Sequence, residues 1–463
     1  MFPLIGECAT YQVDTVAESN ALSLSSGDIV EFNSNSAPFR FIDSPLTYTD
    51  GVTYRSFGGG KAILTRSEET NLTDDWTDLG SNIWATDNDS FTTDIGNIIL
   101  DNKNAAIKSK VESLTIDGSF WYDSTNDRVK FHSTSNPASR WDDIECAISL
   151  DISRAETGTD GVIIENLEFM YGGRHAINII NSSNITVQNC YISWIGGGDQ
   201  FPATKTNRIG NGIQIWESAT NVFIRDNVLW QIMDVALAHE GDTTNRVISN
   251  VEWIGNTVYD CGLYGLQYWQ NGIGSTLSGY KMDNNTLVNS CGAGWVIGQR
   301  WNTFYYPAGI GFYNNKATIN NFSIKNNVVY QDTPDTGQYY ENRCLFIGGA
   351  YFDDVTELDF DNNCYYRLSG EMIKVDYPSA GQDEYTLSEF STYQSEKSQD
   401  ANSIALNPLL TSSHRLSQAS PCRGAGTNNS DIGAYKYYKG FTATRGTGTI
   451  TISGTGTGKV TIK

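Results

Sequence analysis

Short runs of alternating apolar and polar residues, each closed by a polar corner, recur along this chain. Three of them lie close together inside residues 207–270, at Gly212–Trp216, Val235–His239 and Gly265–Trp269. Each is followed by a second short run and then by an asparagine. Alternation with a period of two is typical of β-strands with one buried face. The pattern therefore predicts many short strands joined by polar turns.

An asparagine recurs at one position of seven β-like segments that begin after about residue 160. These asparagines are Asn166, Asn189, Asn227, Asn256, Asn285, Asn327 and Asn363. Their spacing fits coils of about 23 to 29 residues, with insertions in some coils. Asparagine tolerates the left-handed backbone of a corner, and stacked amides can hydrogen-bond from coil to coil. The repeat predicts an all-β protein, a parallel β-helix with an asparagine ladder.

The regions around this repeat predict four parts. We assign an N-terminal cap and first coils to 1–64, a β-rich insertion to 65–150, the parallel β-helix to 151–440, and a Gly/Thr-rich C-terminal β-hairpin extension to 441–463. Trp76, Trp84, Trp121 and Trp141 are the expected core of the insertion. Loop insertions at 195–210, 298–318 and 330–343 are expected to build the binding face, as loops on one side of a solenoid usually do.

Composition and charge limit the classes of molecule that this protein is expected to bind. Aromatic residues make up 12 % of the chain, with 11 Trp and 25 Tyr, and such rings pack on the apolar faces of sugars. The formal net charge of −22 argues against nucleic acid and against an anionic membrane, because both need a basic patch. It also disfavours a polyanionic glycan unless Ca²⁺ or a local basic cluster intervenes. The chain contains no run of eighteen apolar residues, so the sequence predicts no transmembrane helix.

The eight cysteines form no CxxC or Cys/His cluster, so neither a zinc site nor any other cofactor is expected, with Ca²⁺ the one ion left open. Cys261 and Cys291 occupy equivalent positions one repeat apart, and they are either a disulfide or, more simply, buried thiols. The first residues lack the pattern of a signal peptide. We expect an extracellular or virion-associated protein, either a monomer or a homotrimer.

Several segments carry a family resemblance. They include YGGRHAINIINSSNITVQNCYISWIGGG, RIGNGIQIWESATNVFIRDNVLWQIMDVALAHEG and SPCRGAGTNNSDIGAY. These resemble the right-handed parallel β-helix, or pectate-lyase-like, superfamily over most of residues 20–437. The resemblance implies a solenoid and a carbohydrate-active protein. It leaves the reaction open, because the superfamily includes glycoside hydrolases, lyases, epimerases and phage tailspikes. The aspartate-rich motif of polygalacturonases and the basic pair of alginate lyases have no match here.

Aligning the three central coils on their corners suggests a site. Trp216, His239 and Trp269 then share one outward position, and Glu217, Glu240 and Gln270 share the next. The alternate face, with Ile213, Ile215, Ala236, Ala238 and Leu266, would point inward. Stacked strands are about 4.8 Å apart, so Glu217 and Glu240 would approach the carboxylate separation of a retaining glycosidase.

The expected catalytic residues are therefore Asp234, Glu240, Glu217 and His239. The expected substrate-binding residues are Trp216, Trp269, Gln214, Gln267, Arg208, Arg300, Trp301, Tyr305 and Tyr306. Paired carboxylates favour a glycoside hydrolase acting on a neutral or lightly charged polysaccharide. The alternatives are a lyase or C5-epimerase on a uronate polymer, with His239 or Tyr264 as base, and a non-catalytic glycan-binding fibre of the tailspike type.

Overall fold

A computed structural model describes residues 8–290, 292, 294–301, 307–332, 342–348, 357–377 and 381–435. Four elements of the sequence interpretation lie outside these residues: Cys291, Tyr305, Tyr306 and the predicted hairpin 441–463. The choice between a disulfide and buried thiols at Cys261 and Cys291 therefore involves a residue outside the described part of the chain; Cys261 itself is buried.

The chain winds into coils of three strands each, as the repeat predicts. One complete coil runs from Ile213 to Ile232. The long strand Ile213–Arg225 bends at Glu217, where φ is +72°, and so supplies both the first and the second side. Val228–Ile232 supplies the third side. Each strand pairs in parallel with its equivalents in the neighbouring coils, which confirms the predicted parallel β-helix.

Side 1 and side 2 form one continuous sheet, because two long strands run through the corner between them. Those two strands are Ile177–Gln188 and Ile213–Arg225. Side 1 further contains Leu46–Thr47, Ser153–Ala155, Val235–Gly241, Tyr264–Gln270, Ala308–Asn315, Arg343–Gly348, Glu371–Tyr377 and the antiparallel Gly381–Thr386. Side 2 contains Thr10–Val13, Ile29–Asn33, Thr53–Phe57, Ile163–Glu165, Val247–Ile254, Thr276–Asp283, Thr318–Lys325 and Leu358–Asp361.

Side 3 is a separate sheet. Its parallel strands are Phe39–Arg40, Ala62–Glu69, Leu167–Gly172, Tyr191–Ile195, Val228–Ile232, Thr257–Cys261, Thr286–Ser290, Val328–Gln331 and Cys364–Arg367. Helices are few and short: Val16–Asn20 and Phe390–Lys397, with 3₁₀ turns at Thr73–Asp75, Pro137–Ser139, Gly294–Val296, Leu387–Glu389 and Thr427–Asn429. No helix in the described part of the chain is long and apolar enough to cross a membrane.

The insertion after Ala62–Glu69 builds a small sheet beside the coils. Its strands are Thr77–Gly80, Ile83–Ala85, Ile107–Lys108, Ser119–Asp123 and Arg128–His132. The antiparallel strands Ile95–Leu100, Asn104–Ala105 and Ile144–Ile148 extend side 3. Trp76 belongs to the core of this region, Trp84 and Trp141 pack on its edge, and Trp121 is half-buried. A further short pair, Gly198–Asp199 with Arg208–Ile209, lies in the first loop insertion.

The asparagine repeat resolves into two adjacent positions with different tasks. Asn166 and Asn189 have left-handed φ angles, and Asp226 and Asn284 take this corner position in later coils. The next residue in each later coil is the buried asparagine of the ladder. Each Asn side chain hydrogen-bonds the following one: Asn227 to Asn256 (3.0 Å), Asn256 to Asn285 (3.1 Å), Asn285 to Asn327 (3.0 Å) and Asn327 to Asn363 (3.1 Å). The ladder is confirmed for five of the seven predicted members.

The three loop insertions leave the helix at the same corner, between side 3 and side 1. They follow the side 3 strands that end at Ile195, Ser290 and Gln331. The described parts of these loops therefore border one edge of side 1. The fold thus places the outer face of side 1 beside the loops, as expected for a binding face.

Candidate active site

The strand register corrects the predicted alignment of the three central coils by one residue. Gly212 lies beside Ala236, not Val235, because Ile213 pairs with Leu237 and Leu237 with Leu266. Val235 belongs to the preceding corner, where its N–H donates to the Asn211 side chain (3.1 Å). The outward position is therefore shared by Trp216, Glu240 and Trp269, so the carboxylate, and not the imidazole, lies between the two indoles.

His239 faces the interior, contrary to the predicted outward orientation. Its side chain is fully buried beside Tyr268 and Tyr280. Nε2 donates to the Glu217 carbonyl (2.9 Å), so the neutral ring accepts from the Tyr280 hydroxyl at Nδ1 (3.2 Å). Burial lowers the pKa of His239 to about 4. Both ring nitrogens are occupied, which leaves no nitrogen to contact a substrate.

Ala238 shows the same one-residue error. It was expected inside but packs on the outer face of side 1 with Val235, Tyr264 and Phe346. Tyr268 is fully buried inside the coils. Aromatic rings from neighbouring coils surround it, including Tyr280 and Phe322. The interior at this level is therefore aromatic and includes an imidazole, not only small branched side chains.

Glu217 does not share a rung with Glu240. Its carboxylate turns toward the corner after Val235–Gly241 and accepts from the Thr243 N–H (3.1 Å) and the Thr243 hydroxyl (2.6 Å). Arg246 Nε lies 3.4 Å from the other oxygen. The side chain is 2 % exposed. These contacts give Glu217 a structural task at the corner.

Glu240 is a partly buried carboxyl group on the outer face of side 1. Burial and the nearby Asp234 carboxylate raise its pKa to about 7, although Gln214 and Arg300 act in the opposite direction. A carboxyl group with such a pKa is half-protonated near neutral pH. It can therefore donate a proton, which general acid catalysis requires.

Asp234 precedes the strand Val235–Gly241, of which Glu240 is the penultimate residue. Arg300, from the second loop insertion, pairs with both carboxylate oxygens of Asp234, at 3.0 and 3.1 Å. Burial raises the pKa of Asp234, and the guanidinium opposes that effect. The structure thus brings together three predicted residues, Asp234, Glu240 and Arg300, from one strand and one loop.

Gln214 holds Glu240 in a defined orientation. Its Nε2 donates to Glu240 Oε2 (3.2 Å), while its Oε1 accepts from the Asn211 side chain. Because Asn211 fixes which end of the amide carries the oxygen, the NH₂ group must face the carboxyl group. Gln214 is only 2 % exposed. Gln214 is therefore a buried neighbour of the Glu240 carboxyl group. It does not offer the open surface expected of a substrate-binding residue.

Two half-buried tryptophans flank Glu240. The rings of Trp216 and Trp269 are 6.3 Å apart at an angle of 46°. Gln267 lies on the same face, paired with Ala238. Gln267 Oε1 and Trp269 Nε1 are buried and have no hydrogen-bond partner among the residues that the structure describes. Such groups require water or ligand hydroxyl groups as partners, which fits a sugar-binding surface.

Arg208 and Trp301 organise the loops that border this face. Arg208 is fully buried and donates to the carbonyl groups of Gly96 (2.8 Å) and Gly197 (2.7 Å) and to the Gln299 side chain (2.8 Å). Its guanidinium stacks on Trp301 at 5.4 Å, and its N–H donates to the Arg300 carbonyl (3.0 Å). Arg208 thus holds the segment that carries Arg300 in place. Because Arg208 is fully buried, it is not available for contact with a bound sugar.

Four polar residues on the same face escaped the sequence interpretation: Asp151, Arg154, His175 and Asn178. Asp151 accepts from the Asn178 amide (2.9 Å) and lies 3.0 Å from Arg154 Nε. His175 Nδ1 accepts from the Asn211 N–H (3.0 Å), and burial lowers the pKa of His175 to about 4. Asn178 pairs in register with Gln214. The matching strings AINII and GIQIW in the sequence were the available signal.

No metal centre emerges from the residues that the structure describes: none of their His, Cys, Asp and Glu side chains form a group of three suited to an ion. A cavity of about 520 Å³ lies on side 3, lined by Ser56, Gly59, Gly60, Lys61, Asn166, Glu168 and Tyr191. It contains no pair of facing carboxyl groups. The outer face of side 1 remains the better candidate, because the shifted carboxyl groups, tryptophans and loop insertions meet there.

A match to a protein-family model supports this fold. The family model described as right handed beta helix region matches residues 143–306. No curated protein sequence matches the chain significantly. A solved structure described as a glycoside hydrolase is 8 % identical, covers 76 % of this chain and 87 % of its own, and has a TM-score of 0.44. XylC in complex with xylose is 10 % identical, covers 82 % and 77 %, and scores 0.38.

An exopolygalacturonase from Thermotoga maritima is 8 % identical, covers 75 % of this chain and 82 % of its own, and has a TM-score of 0.35. The family match begins at the strand Ile144–Ile148 and ends in the second loop insertion. The matched region therefore includes Asp234 and Glu240. Together, the parallel strand register and this match identify the chain as a right-handed parallel β-helix protein.

Proposed function

We propose that this protein is a carbohydrate-active enzyme, specifically a glycoside hydrolase, that uses Glu240 as general acid and Asp234 as general base or nucleophile. The observation that carries the proposal is a carboxyl group with a pKa of about 7 beside an arginine-paired carboxylate. Hydrolysis of a glycosidic bond needs such a pair of carboxyl groups with separated pKa values.

The chemistry assigns a role to each group. Glu240, whose protonated form is well populated at neutral pH, would donate its proton to the leaving glycosidic oxygen. Asp234, whose charge is balanced by Arg300, would remain ionised and either activate water or attack the anomeric carbon. Trp216 and Trp269 would hold sugar rings on either side of Glu240 by stacking on their apolar faces. The expected substrate is a polysaccharide outside the cell or on a cell surface.

His239 and Glu217 have no part in this proposal. A lyase would need a base that reaches the C5 proton of a uronate, and the buried His239 cannot supply it. Glu217 is held by Thr243 and Arg246.

Analysis of the products tests the reaction class. The protein would be incubated with a panel of polysaccharides in ¹⁸O-labelled water. A hydrolase releases saturated sugars with new reducing ends and incorporates one ¹⁸O atom per bond cleaved. Unsaturated products that absorb in the ultraviolet and contain no label would contradict the proposal and indicate a lyase. Binding without cleavage of any bound glycan would indicate a non-catalytic fibre.

A further inference from the structure

Two arginines share one buried carboxylate away from Glu240: Arg154, in the side 1 strand Ser153–Ala155, and Arg174, at the corner that leads into the side 1 strand Ile177–Gln188. Asp151 is 4 % exposed, and its oxygens lie 3.0 Å from Arg154 Nε and 3.7 Å from Arg174 Nε. The Asn178 amide and the His175 N–H also donate to Asp151. The carboxylate is therefore fixed by four groups, and it fixes the two guanidinium groups in turn.

The arginines remain accessible although Asp151 is buried. The side chains of Arg154 and Arg174 are 35 % and 46 % exposed. Asp151 approaches Arg174 at Nε, and among the residues that the structure describes no acidic group pairs with the two terminal nitrogens of Arg174. Arg154 Nη1 pairs at 3.1 Å with Glu156, which is itself half-exposed. An outward guanidinium fork of this kind matches a carboxylate or sulfate group.

Strand register relates this pair to the candidate active site. Arg154 pairs with Asn178, Asn178 with Gln214, and Gln214 with Ala238. Ala238 and Glu240 lie on the same strand and the same face. Three strand spacings of about 4.8 Å separate Arg154 from that strand, or about 14 Å. Asn178 Oδ1, which is buried on this path, has no hydrogen-bond partner within the described part of the chain.

We propose that Arg154 and Arg174 form a subsite that binds an acidic group, a carboxylate or a sulfate, on a glycan lying across the coils toward Glu240. The subsite rests on the proposed function only in that both place the glycan on side 1. In a protein with a net charge of −22, an acidic glycan is repelled overall. Such a glycan is therefore retained only where fixed cations meet its charge, and Glu156 is the anion that it would displace.

Glycan binding by a Glu240→Gln protein of full length tests the subsite separately from catalysis. The probes are an array of acidic oligosaccharides, each printed beside its carboxyl-reduced or desulfated form. We expect at least one acidic member to bind roughly tenfold more tightly than its neutral form. Loss of the difference on carboxyl reduction or on desulfation identifies the acidic group.

Arg174→Gln should erase that difference, and Arg174→Lys should restore part of it. Arg225→Gln is the matched control, because Arg225 is also 40 % exposed and paired with a glutamate, but on side 2. Equal binding of acidic and neutral forms, absence of binding to every acidic probe, or an unchanged preference in Arg174→Gln would each overturn the proposal. Cleavage by the unsubstituted protein is measured in parallel, so that a failed subsite and a failed hydrolase assignment give different results.

Discussion

Glu240 owes its raised pKa to its surroundings. Burial and Asp234 raise its pKa to about 7, whereas the Gln214 amide stabilises the ionised form. A general acid works only while it is protonated, so activity should fall as the pH rises through about 7. It should also fall at low pH, when Asp234 becomes protonated. The pH dependence of kcat/KM measures both limbs.

Gln214→Leu should move the upper limb to higher pH, because the variant removes the hydrogen bond from the Gln214 amide that favours ionised Glu240. Gln267→Leu is the control. Gln267 occupies the same outward position as Gln214, two coils further along, but no hydrogen bond from Gln267 to Asp234 or Glu240 is found in the described part of the chain. We expect it to raise KM without moving the limb. An upper limb unchanged in Gln214→Leu would show that this amide does not set the acidity of Glu240.

At this scale the sequence identified the residues of the proposed site better than it predicted their geometry. Asp234, Glu240 and Arg300 were identified, since polar residues in a β-helix repeat stand out. The strand register around Val235 was not predicted, because the corner before this strand is one residue longer than in the predicted alignment. One extra residue exchanges the side chains that point inward with those that point outward. His239 and Glu240 consequently changed places. The partners of Glu217 and Arg208 come from distant segments, and no local pattern reveals them.

The buried asparagine ladder is the main polar element inside the coils. Asn256 is fully buried, and its amide bonds both Asn285 and the Ile224 carbonyl (2.9 Å). Asn256→Ala would remove the buried acceptor of the Asn227 backbone N–H and of one Asn227 side-chain hydrogen bond, and the side-chain donor to the Ile224 carbonyl. We expect a loss of about 2–4 kcal/mol in the free energy of unfolding, measured by chemical denaturation.

Asn250→Gly is the control for the ladder. Asn250 belongs to an exposed asparagine row, has a φ of +51°, and corresponds to Gly279 in the next coil. Glycine keeps this backbone conformation at little cost, so a change below about 1 kcal/mol is expected. Similar losses for both variants would contradict a specific stabilising effect of the buried ladder. The repeat in the sequence predicted this element because its spacing is regular.

For the molecule as a whole, His239 should couple stability to pH. Its pKa is about 4 in the folded protein and about 6.5 in an unfolded chain. The unfolded state therefore binds more protons, and stability decreases as the pH falls from about 6.5 to about 4. The contribution is on the order of 3 kcal/mol. Denaturation of His239→Gln should show a correspondingly weaker loss over this range; an identical pH dependence would contradict a neutral, buried His239.

The solenoid also explains how the site is assembled. Gln214, Glu240 and Trp269 are far apart in the sequence but lie on neighbouring side 1 strands, because each coil returns the chain to the same face. Arg208 fixes the loop segment with Arg300 against the insertion at Gly96. The fold class was predictable from periodicity alone, whereas the contacts between loops depend on packing that has no sequence period.

The most direct test of the central claim is the turnover of the cleaved glycan by the Glu240→Gln variant. Gln keeps the shape of the side chain but can neither donate nor accept the proton. We predict a loss of kcat of about 10²–10⁴-fold with the fold unchanged by circular dichroism. Glu252→Gln, a carboxylate on side 2 paired with Arg225 and Lys281, should retain full activity. Turnover by Glu240→Gln within a few fold of the unsubstituted protein would contradict the assignment of Glu240 as the acid.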